Sequence, residues 1–426
     1  MTAPRAFFYV EYFPQRTGSG AHLRLYSNVR AFVDLGYHVE VIQLAPPGAS
    51  RVHPEDLPNT EWTCVDLPPA RPTWLGKLQF RMAYPGAQGL SYYFPAHLPL
   101  RHELLTRESV HPGSVHVLEG DGMANVIPFL KPFHHGGVRA VWSVHDIGSE
   151  MIAASHRIDN QITGRHSQKH VHREVAFLRA QEERTLRAAP LAICISAHDA
   201  RVLQDRGCKT AEYLPMSIPD ESEPTISTMD RAPALRLLHL GRINHLPSFR
   251  SLEFLLGQVW PLLDEESVRA IQLNVVGTYD ANDERCKALF ALAEPYAETV
   301  RFHGFVSDLH EQFRNADMQV IASTEASGLR TRIVESFAIG VPVFSTAIAA
   351  RGLEGLVNGQ NILVASDPAA FAAGLRSVIA DRNQLVQIAA SARRTYEALY
   401  ARKVVASQVG RLLSRYLKVP EARQGM

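Results

Sequence analysis

The amino-acid sequence predicts an α/β protein with two Rossmann-like domains, each a doubly wound parallel sheet, which face each other across a cleft. A chain of 426 residues is too long for a single ordinary core, so two large domains are expected. Short apolar runs of strand-forming residues alternate with helical patterns before and after residues 219–234. That alternation is typical of parallel sheets covered by helices on both faces, and the prolines of residues 219–234 indicate a linker between two such domains.

The first domain is expected over residues 1–218. Its predicted strands are residues 6–10, 39–44, 115–118, 140–144 and 191–195. A helix follows the first strand, because Leu25, Val29 and Phe32 recur at helical spacing. Ser196 is a favourable N-cap for the helix that follows the last of these strands.

The second domain is expected over residues 235–400. Its predicted strands are residues 235–240, 271–276, 300–302, 318–322, 341–345 and 361–364. Helices are predicted at residues 248–263 and 331–339. Residues 401–426 should form a C-terminal helix and tail, and we expect this helix to pack back on the first domain. Ligands of open α/β sheets bind at the carboxyl ends of the strands, so functional residues should follow the strands.

Composition and charge exclude several classes of protein. Hydrophobic residues make up 46% of the chain and charged residues 20%, which is ordinary for a globular protein. The formal net charge of +1 argues against a nucleic-acid-binding protein, which usually has a strong basic excess. The four cysteines form no pair with metal-ligand spacing and suit a reducing compartment. Because the sequence shows no signal-peptide pattern and no apolar run long enough to span a bilayer, we expect a cytoplasmic protein.

Residues 71–105 combine aromatic and basic side chains in a way that permits two interpretations. The aromatic residues are Trp74, Phe80, Tyr84, Tyr92, Tyr93 and Phe94, and the basic ones include Lys77, Arg81 and Arg101. Such a mixture favours a membrane interface, which would place the protein peripherally at the inner face of the membrane. The alternative is a long, partly buried excursion beside the first sheet, since no regular helical pattern is visible.

The most informative segment is residues 327–343, in which a glycine-containing turn leads into a helix. The first turn of a helix presents free backbone N–H groups and the positive end of the helix dipole, which suit a diphosphate. Arg330 and Arg332 lie at that turn, and their fork-shaped guanidinium groups can bind phosphate oxygens. Glu335 lies about one turn beyond Arg332, where its carboxylate can accept both hydroxyls of a ribose. The alternative is an amphipathic helix on which Arg332 and Glu335 form an exposed ion pair.

Residues 327–343 resemble the donor-site segment of retaining glycosyltransferases of the family 4 type, which have the two-domain GT-B fold. The resemblance extends over most of residues 235–415 and, more thinly, over the first domain. Residues 303–309 resemble the family's base-binding turn, and residues 359–364 resemble the strand that closes the site.

The resemblance assigns roles to further residues of the second domain. It implies that Gly304, Phe305 and Val306 contact the base of the donor. Arg242, which follows the strand at residues 235–240, would reach the diphosphate. The family has a lysine about one turn after this arginine. No lysine stands there in this chain, and Arg250 is the candidate replacement.

The first glutamate of the family's donor motif is also replaced. Its aligned position in this chain is Ser327, whereas an alternative alignment matches Glu325 and Gly328 to the start of the motif. In that alignment Glu325 would reach the sugar hydroxyls. A subgroup of the family lacks this glutamate and has two basic residues where Arg330 and Arg332 stand, which is the better match.

In the first domain the resemblance concerns a loop and a strand end. Gly18, Ser19 and Gly20 look like the family's glycine loop, which faces the donor phosphates and the acceptor. His145 and Asp146 follow the strand at residues 140–144, and the resemblance places a functional histidine here, near the reacting sugar. The alternative for His145 is a histidine satisfied by local hydrogen bonds.

The resemblance implies a hexosyltransferase of polysaccharide biosynthesis. It would move a sugar from a nucleoside diphosphate, bound by the second domain, to a glycan or lipid-linked acceptor, bound by the first, with retention of anomeric configuration. Arg242, Arg330 and Arg332 would stabilise the leaving diphosphate, so neither a metal ion nor a cofactor is expected. His145 would act by positioning and hydrogen bonding.

Other functions are weighed against this one. A nicotinamide-dependent dehydrogenase is disfavoured, because Leu23 stands where its fingerprint needs glycine and no acidic residue ends the second strand. An epimerase or phosphorylase on the same fold is a second alternative, but a pyridoxal-dependent phosphorylase needs a suitable lysine. Lys287 is the only lysine between residues 235 and 379. A non-catalytic protein that binds a nucleotide sugar stays open, and turnover of the donor would distinguish it from an enzyme.

Overall fold

A computed structural model of the chain shows two compact units, Met1–Pro219 with Arg402–Met426, and Asp220–Ala401. The described residues are 3–15, 20–46, 48–67, 97–130, 138–153, 156, 168–218, 233–324 and 329–419. Several positions singled out from the sequence lie outside these ranges, namely Gly18, Ser19, Glu325, Ser327, Gly328, residues 219–232 and residues 71–96. Each unit contains one parallel sheet with helices around it, which confirms the predicted fold class.

The first unit is built on a seven-stranded sheet in the order β3-β2-β1-β4-β5-β6-β7. Its strands are β1 (Arg5–Val10), β2 (His38–Ala45), β3 (Thr60–Asp66), β4 (Val115–Glu119), β5 (Arg139–Val144), β6 (Leu191–Cys194) and β7 (Ala211–Tyr213). Its first helices are α1 (Gly20–Asp34), α2 (His97–Val110), α3 (Gly120–Ala124), α4 (Gln168–Ala188) and α5 (Ala197–Asp205), with a 3-10 turn at Ile127–Phe129. The inner strands β4 and β6 are buried at every residue, as expected for parallel strands covered on both faces.

The second unit is built on a six-stranded parallel sheet in the order β10-β9-β8-β11-β12-β13. Its strands are β8 (Leu235–Leu240), β9 (Ile271–Val276), β10 (Val300–Gly304), β11 (Met318–Ile321), β12 (Val343–Thr346) and β13 (Leu363–Ala365). Its helices are α6 (Leu246–Phe254), α7 (Glu265–Arg269), α8 (Glu284–Ala293), α9 (Leu309–Arg314), α10 (Thr331–Ile339), α11 (Ala347–Ala350), α12 (Pro368–Ala380) and α13 (Asn383–Leu399). Because all its strands run parallel, their carboxyl ends lie along one edge of the sheet.

The single α-helix predicted at residues 248–263 is wrong. Regular α-helix ends at Phe254, a π-helical turn follows over Leu255–Val259, and a 3-10 turn covers Trp260–Leu262. Pro261 explains the break, because proline has no N–H and its ring clashes with the carbonyl four residues earlier. The apolar residues of the segment still pack into the core, so the hydrophobic pattern survives the change of helix type.

Two strands and the helix α2 are among the elements that were not predicted from the sequence. The strands are β3 and β7, which lie at the two edges of the first sheet. The helix α2 includes residues 97–105 of the segment that had suggested a membrane surface. Within it Leu100 and Leu104 are fully buried in the core of the first unit. In the part of the chain that the structure describes, no helix is long and apolar enough to cross a membrane.

The C-terminal helix α14 (Arg402–Leu417) belongs to the first unit, as predicted, although it follows the second unit in the chain. Val405, Val409 and Leu413 are buried in the same apolar cluster as the inward face of α1. The guanidinium group of Arg402 lies 2.8 Å from the carboxylate of Asp34 at the end of α1. Apolar packing therefore holds α14 on α1, and the ion pair between Arg402 and Asp34 joins the first residue of α14 to the last residue of α1.

We predict that Leu413→Ala destabilises the first unit by about 2–5 kcal/mol, because it leaves a cavity between α14 and α1. Hydrogen–deuterium exchange of the full chain should become faster in peptides of α1 and α14, while peptides of β9 keep their protection. Lys403→Ala changes an exposed residue of the same helix and serves as the control. Unchanged protection of α1 in Leu413→Ala would contradict this account of the packing.

Candidate functional site

Two glycines at the carboxyl edge of the second sheet bring neighbouring loops into contact. Gly241 follows β8, and Gly277 follows β9. A Cβ atom on Gly277 would lie 1.9 Å from the carbonyl oxygen of Gly241, so only glycine fits at this position. A Cβ atom on Gly241 would lie 2.3 Å from Oγ of Ser248 in α6. This close approach fixes the path of the loop that contains Arg242.

The loop after β8 gathers basic side chains around Asn244. Nε of Arg242 donates to the side-chain Oδ1 of Asn244 at 3.0 Å. Nη1 of Arg285 donates to the backbone carbonyl oxygen of Asn244 at 3.2 Å. Asp283, the N-cap of α8, accepts a hydrogen bond from the Asn244 amide at 3.4 Å. One asparagine therefore positions two guanidinium groups. Arg285 was not identified from the sequence, because its place beside Arg242 depends on this contact between loops.

The protonation of His245 reflects the positive charge of this loop. Desolvation lowers the pKa of its imidazole below the usual value. Three nearby guanidinium groups lower that pKa further, those of Arg330, Arg242 and Arg285. His245 is therefore neutral near pH 7, and the three arginines around it form a place that attracts a multivalent anion. Among the described residues, no group of three or more His, Cys, Asp or Glu side chains could hold a metal ion.

The N-terminus of α10 adds a helix dipole to the same edge. The helix covers Thr331–Ile339, as predicted, and Arg330 is its N-cap. Nη2 of Arg330 donates to Oγ of Ser323, which follows β11, at 2.9 Å. At the other end of the helix, Oγ of Ser336 donates to the side chain of Gln319 in β11, and both residues are fully buried. The helix is thus fixed to the sheet, with its positive end and Arg330 at the carboxyl edge.

Glu335 has one carboxylate oxygen that is available to a ligand. Nη1 of Arg332 donates to its Oε2, so the ion pair considered from the sequence is formed. The pair is not an exposed one, since the Glu335 residue is only 7% exposed. Among the described residues, Oε1 of Glu335 has no hydrogen-bond partner, and a buried acceptor without one is costly. A hydroxyl group of a ligand would satisfy it.

The predicted base-binding turn presents an aromatic surface. Gly304 ends β10 with a φ of +71°, a conformation that favours glycine. Phe305 follows with 76% of its surface exposed, which is unusual for a large apolar side chain. The ring of Tyr279, which is 39% exposed, lies beside this glycine: a Cβ atom on Gly304 would be 3.8 Å from it. Val306 packs against the apolar cluster behind the turn. Two exposed rings, which follow the neighbouring strands β9 and β10, suit the flat face of a base.

Arg250, the candidate replacement for the missing lysine, is engaged elsewhere. Its Nη1 lies 2.6 Å from Oε2 of Glu253 on the same helix. The structure instead brings Arg285 beside Arg242. Arg285 comes from a different strand–helix connection and is a second candidate for the place of the missing lysine.

In the first unit, His145 belongs to a buried hydrogen-bond network at the end of β4. Its Nε2 lies 2.7 Å from Oε2 of Glu119, whose other oxygen accepts from the Asn28 amide at 2.8 Å. Burial by itself would raise the pKa of Glu119, but hydrogen bonds from His145, Asn28 and Ser143 hold it below its usual value. Because an ionised carboxylate only accepts hydrogen bonds, Nε2 of His145 bears a proton and donates it to Glu119.

Two other histidines, His22 and His239, and the buried Arg24 have structural roles. Gly20 is the first residue of α1, and the ring of His22 lies 4.5 Å from that of Tyr12. His239 is 4% exposed within β8, and burial lowers its pKa to about 4, so it is neutral in the core. Arg24 is also buried, and its Nη1 donates to the carbonyl oxygen of Leu214 at 2.8 Å, which fixes α1 to the segment after β7.

Comparison with known proteins agrees with this architecture. Residues 234–381 match the family described as glycosyl transferases group 1. HepE from Anabaena, solved in complex with UDP, superposes with a TM-score of 0.66 and 16% identity, over 97% of this chain and 100% of that one. Sucrose-phosphate synthase from Thermosynechococcus elongatus gives the same TM-score of 0.66 and 16% identity, over 97% and 99% of the two chains. WaaG, a glycosyltransferase of lipopolysaccharide biosynthesis, gives 0.55 and 18%, over 95% and 98%. No curated protein matches the chain.

These structures share the two-sheet GT-B fold with the chain, and at such low identity they show the fold alone. The family match covers β8 through α12, the part of the second unit that contains the arginine cluster and Glu335. These findings together indicate a glycosyltransferase: residues 234–381 of the second unit are similar to glycosyl transferases group 1, and the chain has the fold of the solved structures named above.

Proposed function

We propose that the second unit binds a nucleoside-diphosphate sugar as the donor substrate. The observation that supports this best is the arrangement of three arginines around the neutral His245, at the carboxyl edge of the sheet and at the N-terminus of α10. A diphosphate provides the charge and the number of oxygen acceptors that such a cluster can satisfy. The UDP bound to HepE makes UDP the first nucleotide to test.

The nucleoside part of the donor fits the two features that flank the cluster. A ribose hydroxyl would donate to the unpartnered Oε1 of Glu335. The base would stack on the exposed ring of Phe305 beside Tyr279, with Gly304 and Val306 shaping the turn. Stacking of this kind tolerates different bases, so selection between bases would come from the backbone of the turn.

The reaction that we propose is displacement at the anomeric carbon, with the nucleoside diphosphate as the leaving group. Negative charge grows on the diphosphate as the bond to the sugar breaks, and Arg242, Arg330 and Arg332 with Arg285 would stabilise it. These cations supply the charge that a divalent metal would otherwise provide, so we propose a metal-independent reaction. Retention of configuration, as in family 4 enzymes, is part of this proposal.

The first unit would bind the acceptor, a glycan or a lipid-linked sugar. In the proposed complex, Nδ1 of His145 would accept a hydrogen bond from the acceptor hydroxyl and hold it in position, while Nε2 contacts Glu119. Glu119 fixes the ring and its tautomer from the other side. Action at the cytoplasmic face of a membrane through residues 71–105 also stays a proposal, since residues 71–96 lie outside the described part of the chain.

We expect Glu335→Gln to weaken binding of the preferred nucleoside diphosphate by about tenfold, because an amide is a poorer acceptor for the ribose hydroxyls. Isothermal titration of the metal-free protein with UDP, GDP, ADP and TDP measures the effect and names the base. Glu266→Gln is the matched control, since Glu266 lies in α7, before the amino end of β9. Equal affinity in Glu335→Gln and the wild type would contradict the ribose contact.

Arg285→Ala should reduce affinity for the diphosphate by about tenfold or more and leave affinity for the uncharged nucleoside unchanged. The reason is that Arg285 would contact phosphate oxygens only. Titrations with UDP and with uridine separate the two contributions. Arg269→Ala, which removes an exposed arginine at the end of α7, is the control. A parallel loss for both ligands would instead point to damage of the loop through Asn244.

His145→Gln is expected to lower kcat for sugar transfer by about tenfold to a hundredfold while the dissociation constant of the donor stays the same. Glutamine can still donate to Glu119 but has no lone pair in the place of Nδ1. Release of nucleoside diphosphate in the presence of acceptor measures kcat, and titration measures donor affinity. His38→Gln alters an exposed histidine–glutamate pair at the start of β2 and should have no effect. An unchanged kcat would leave His145 with a structural role alone.

A further inference from the structure

A cavity of about 270 Å³ opens beside His145 in the first unit. A smaller one of about 170 Å³ adjoins it, and the two share Glu11, Asp121 and His145 among their lining residues. Both lie where β1, β4 and β5 end, at the carboxyl edge where ligands of parallel sheets bind. The described residues that line them all belong to the first unit.

Gln181 is a buried polar side chain that lines this cavity and has no hydrogen-bond partner among the described residues. The residue lies in α4, lines the larger cavity and is only 2% exposed. Within the described residues, neither its Nε2 nor its Oε1 has a hydrogen-bond partner. A buried amide left in this state costs about 1–3 kcal/mol for each unsatisfied group. The free protein would be more stable with an apolar residue of similar shape at this position. A ligand that hydrogen-bonds to the amide would explain why glutamine stands here.

Asp121 is a second residue that lines the cavity, and one of its carboxyl oxygens has no hydrogen-bond partner among the described residues. Its Oδ2 accepts from the backbone N–H of Gly148 at 3.2 Å, whereas Oδ1 has no partner among the described residues. A Cβ atom on Gly148 would lie 2.6 Å from Oδ2, so glycine leaves room for the carboxyl group. Burial, and then the charges of Glu182 and Asp146, raise the pKa of Asp121 to about 8. At neutral pH it is therefore mostly protonated and can both donate and accept.

A third carboxyl group, that of Glu11, completes the lining. Gly122 makes room for it, because a Cβ atom there would lie 2.6 Å from Oε1 of Glu11. Glu182 also lines the cavity but is already satisfied by Ser149, whose N–H and hydroxyl both donate to it at 2.6 Å. Arg206 donates to the same carboxylate at 3.0 Å. The groups that remain to recognise a ligand are thus the Gln181 amide, the carboxyl groups of Asp121 and Glu11, and the His145 ring.

We propose that this cavity binds the reacting end of the acceptor, and that this end is an uncharged, hydroxyl-rich sugar ring. The inference rests on the proposed function and narrows its acceptor to one chemical class. An amide and a protonated carboxyl group each donate and accept, as sugar hydroxyls do. An ammonium ligand has no acceptor for the N–H groups of Gln181. A phosphorylated or carboxylated sugar would meet the negative charge of Glu11, which lines both cavities, and that of Glu119, which lines the smaller one.

The test uses the full chain and a panel of simple glycosides. Saturation-transfer NMR should show binding of at least one of the methyl α-glycosides of glucose, galactose, mannose and N-acetylglucosamine, and no binding of methyl glucuronide or glucose 1-phosphate. Gln181→Leu should weaken the neutral glycoside by about tenfold or more. The same variant should melt at the wild-type temperature or above it, since it removes an unsatisfied buried amide. A purely structural role for Gln181 predicts a lower melting temperature.

Gln204→Leu is the matched control, because Nε2 of Gln204 donates to the carbonyl oxygen of Ala211 at 2.7 Å. It should lower the melting temperature and keep glycoside binding. The proposal is overturned if no neutral glycoside binds, if anionic glycosides bind equally well, or if Gln181→Leu binds like the wild type. Nucleoside diphosphate is titrated into the same samples. Its failure to bind would count against the donor site alone, because the glycoside measurement needs no donor.

Discussion

The contact between two glycines, Gly241 and Gly277, is the constraint on which the donor site depends. Their backbones approach so closely that a single added methyl group would overlap a carbonyl oxygen. That approach sets the path of the loop after β8, and the loop presents Asn244 to two guanidinium groups at once. Repulsion between arginines would otherwise spread them apart, so their convergence on one loop has to be held by hydrogen bonds. Hydrogen bonds to Asn244 hold the guanidinium groups of Arg242 and Arg285 in place without a bound anion. Groups held in this way can stabilise a charged leaving group without having to reorganise.

The first unit uses the same edge of its sheet but places negative groups there. Glu119, the last residue of β4, is 5% exposed, and an isolated carboxylate would be expensive in such a position. Hydrogen bonds from His145, Asn28 and Ser143 offset that cost and keep the group ionised. At nearby Asp121, burial and the charge of Glu182 outweigh the hydrogen bond from the Gly148 N–H and raise the pKa to about 8, so this group is mostly protonated at neutral pH. The two carboxyl groups therefore differ in charge because the hydrogen bonds to Glu119 outweigh its burial, whereas those to Asp121 do not.

The sequence predicted what depends on local pattern and missed what depends on contacts between distant segments. The strands β8 and β9 and the helix α10 were predicted with their observed ends, because buried Leu, Ile and Val residues recur at alternate or successive positions of both strands and α10 ends at Gly340 in the left-handed conformation. The edge strands β3 and β7 were missed, since a half-exposed edge strand has no such run. Arg285 was missed for a different reason. Its role depends on hydrogen bonding to Asn244, which no spacing in the chain reveals.

In the function proposed here, the difference in charge between the two units would sort their substrates. A nucleoside diphosphate would be attracted to the arginines of the second unit and repelled by the carboxylates that line the cavity of the first. An uncharged sugar would gain little from the arginines, whereas the amide of Gln181 and the carboxyl group of Asp121 would offer it matched hydrogen bonds. Specificity is a difference between two affinities, so each proposed site needs both a favourable interaction with its own substrate and an unfavourable one with the other. The unpartnered atoms of Glu335 and Gln181 fit this proposal, because each is costly in the free protein and would be satisfied when the proposed substrate binds.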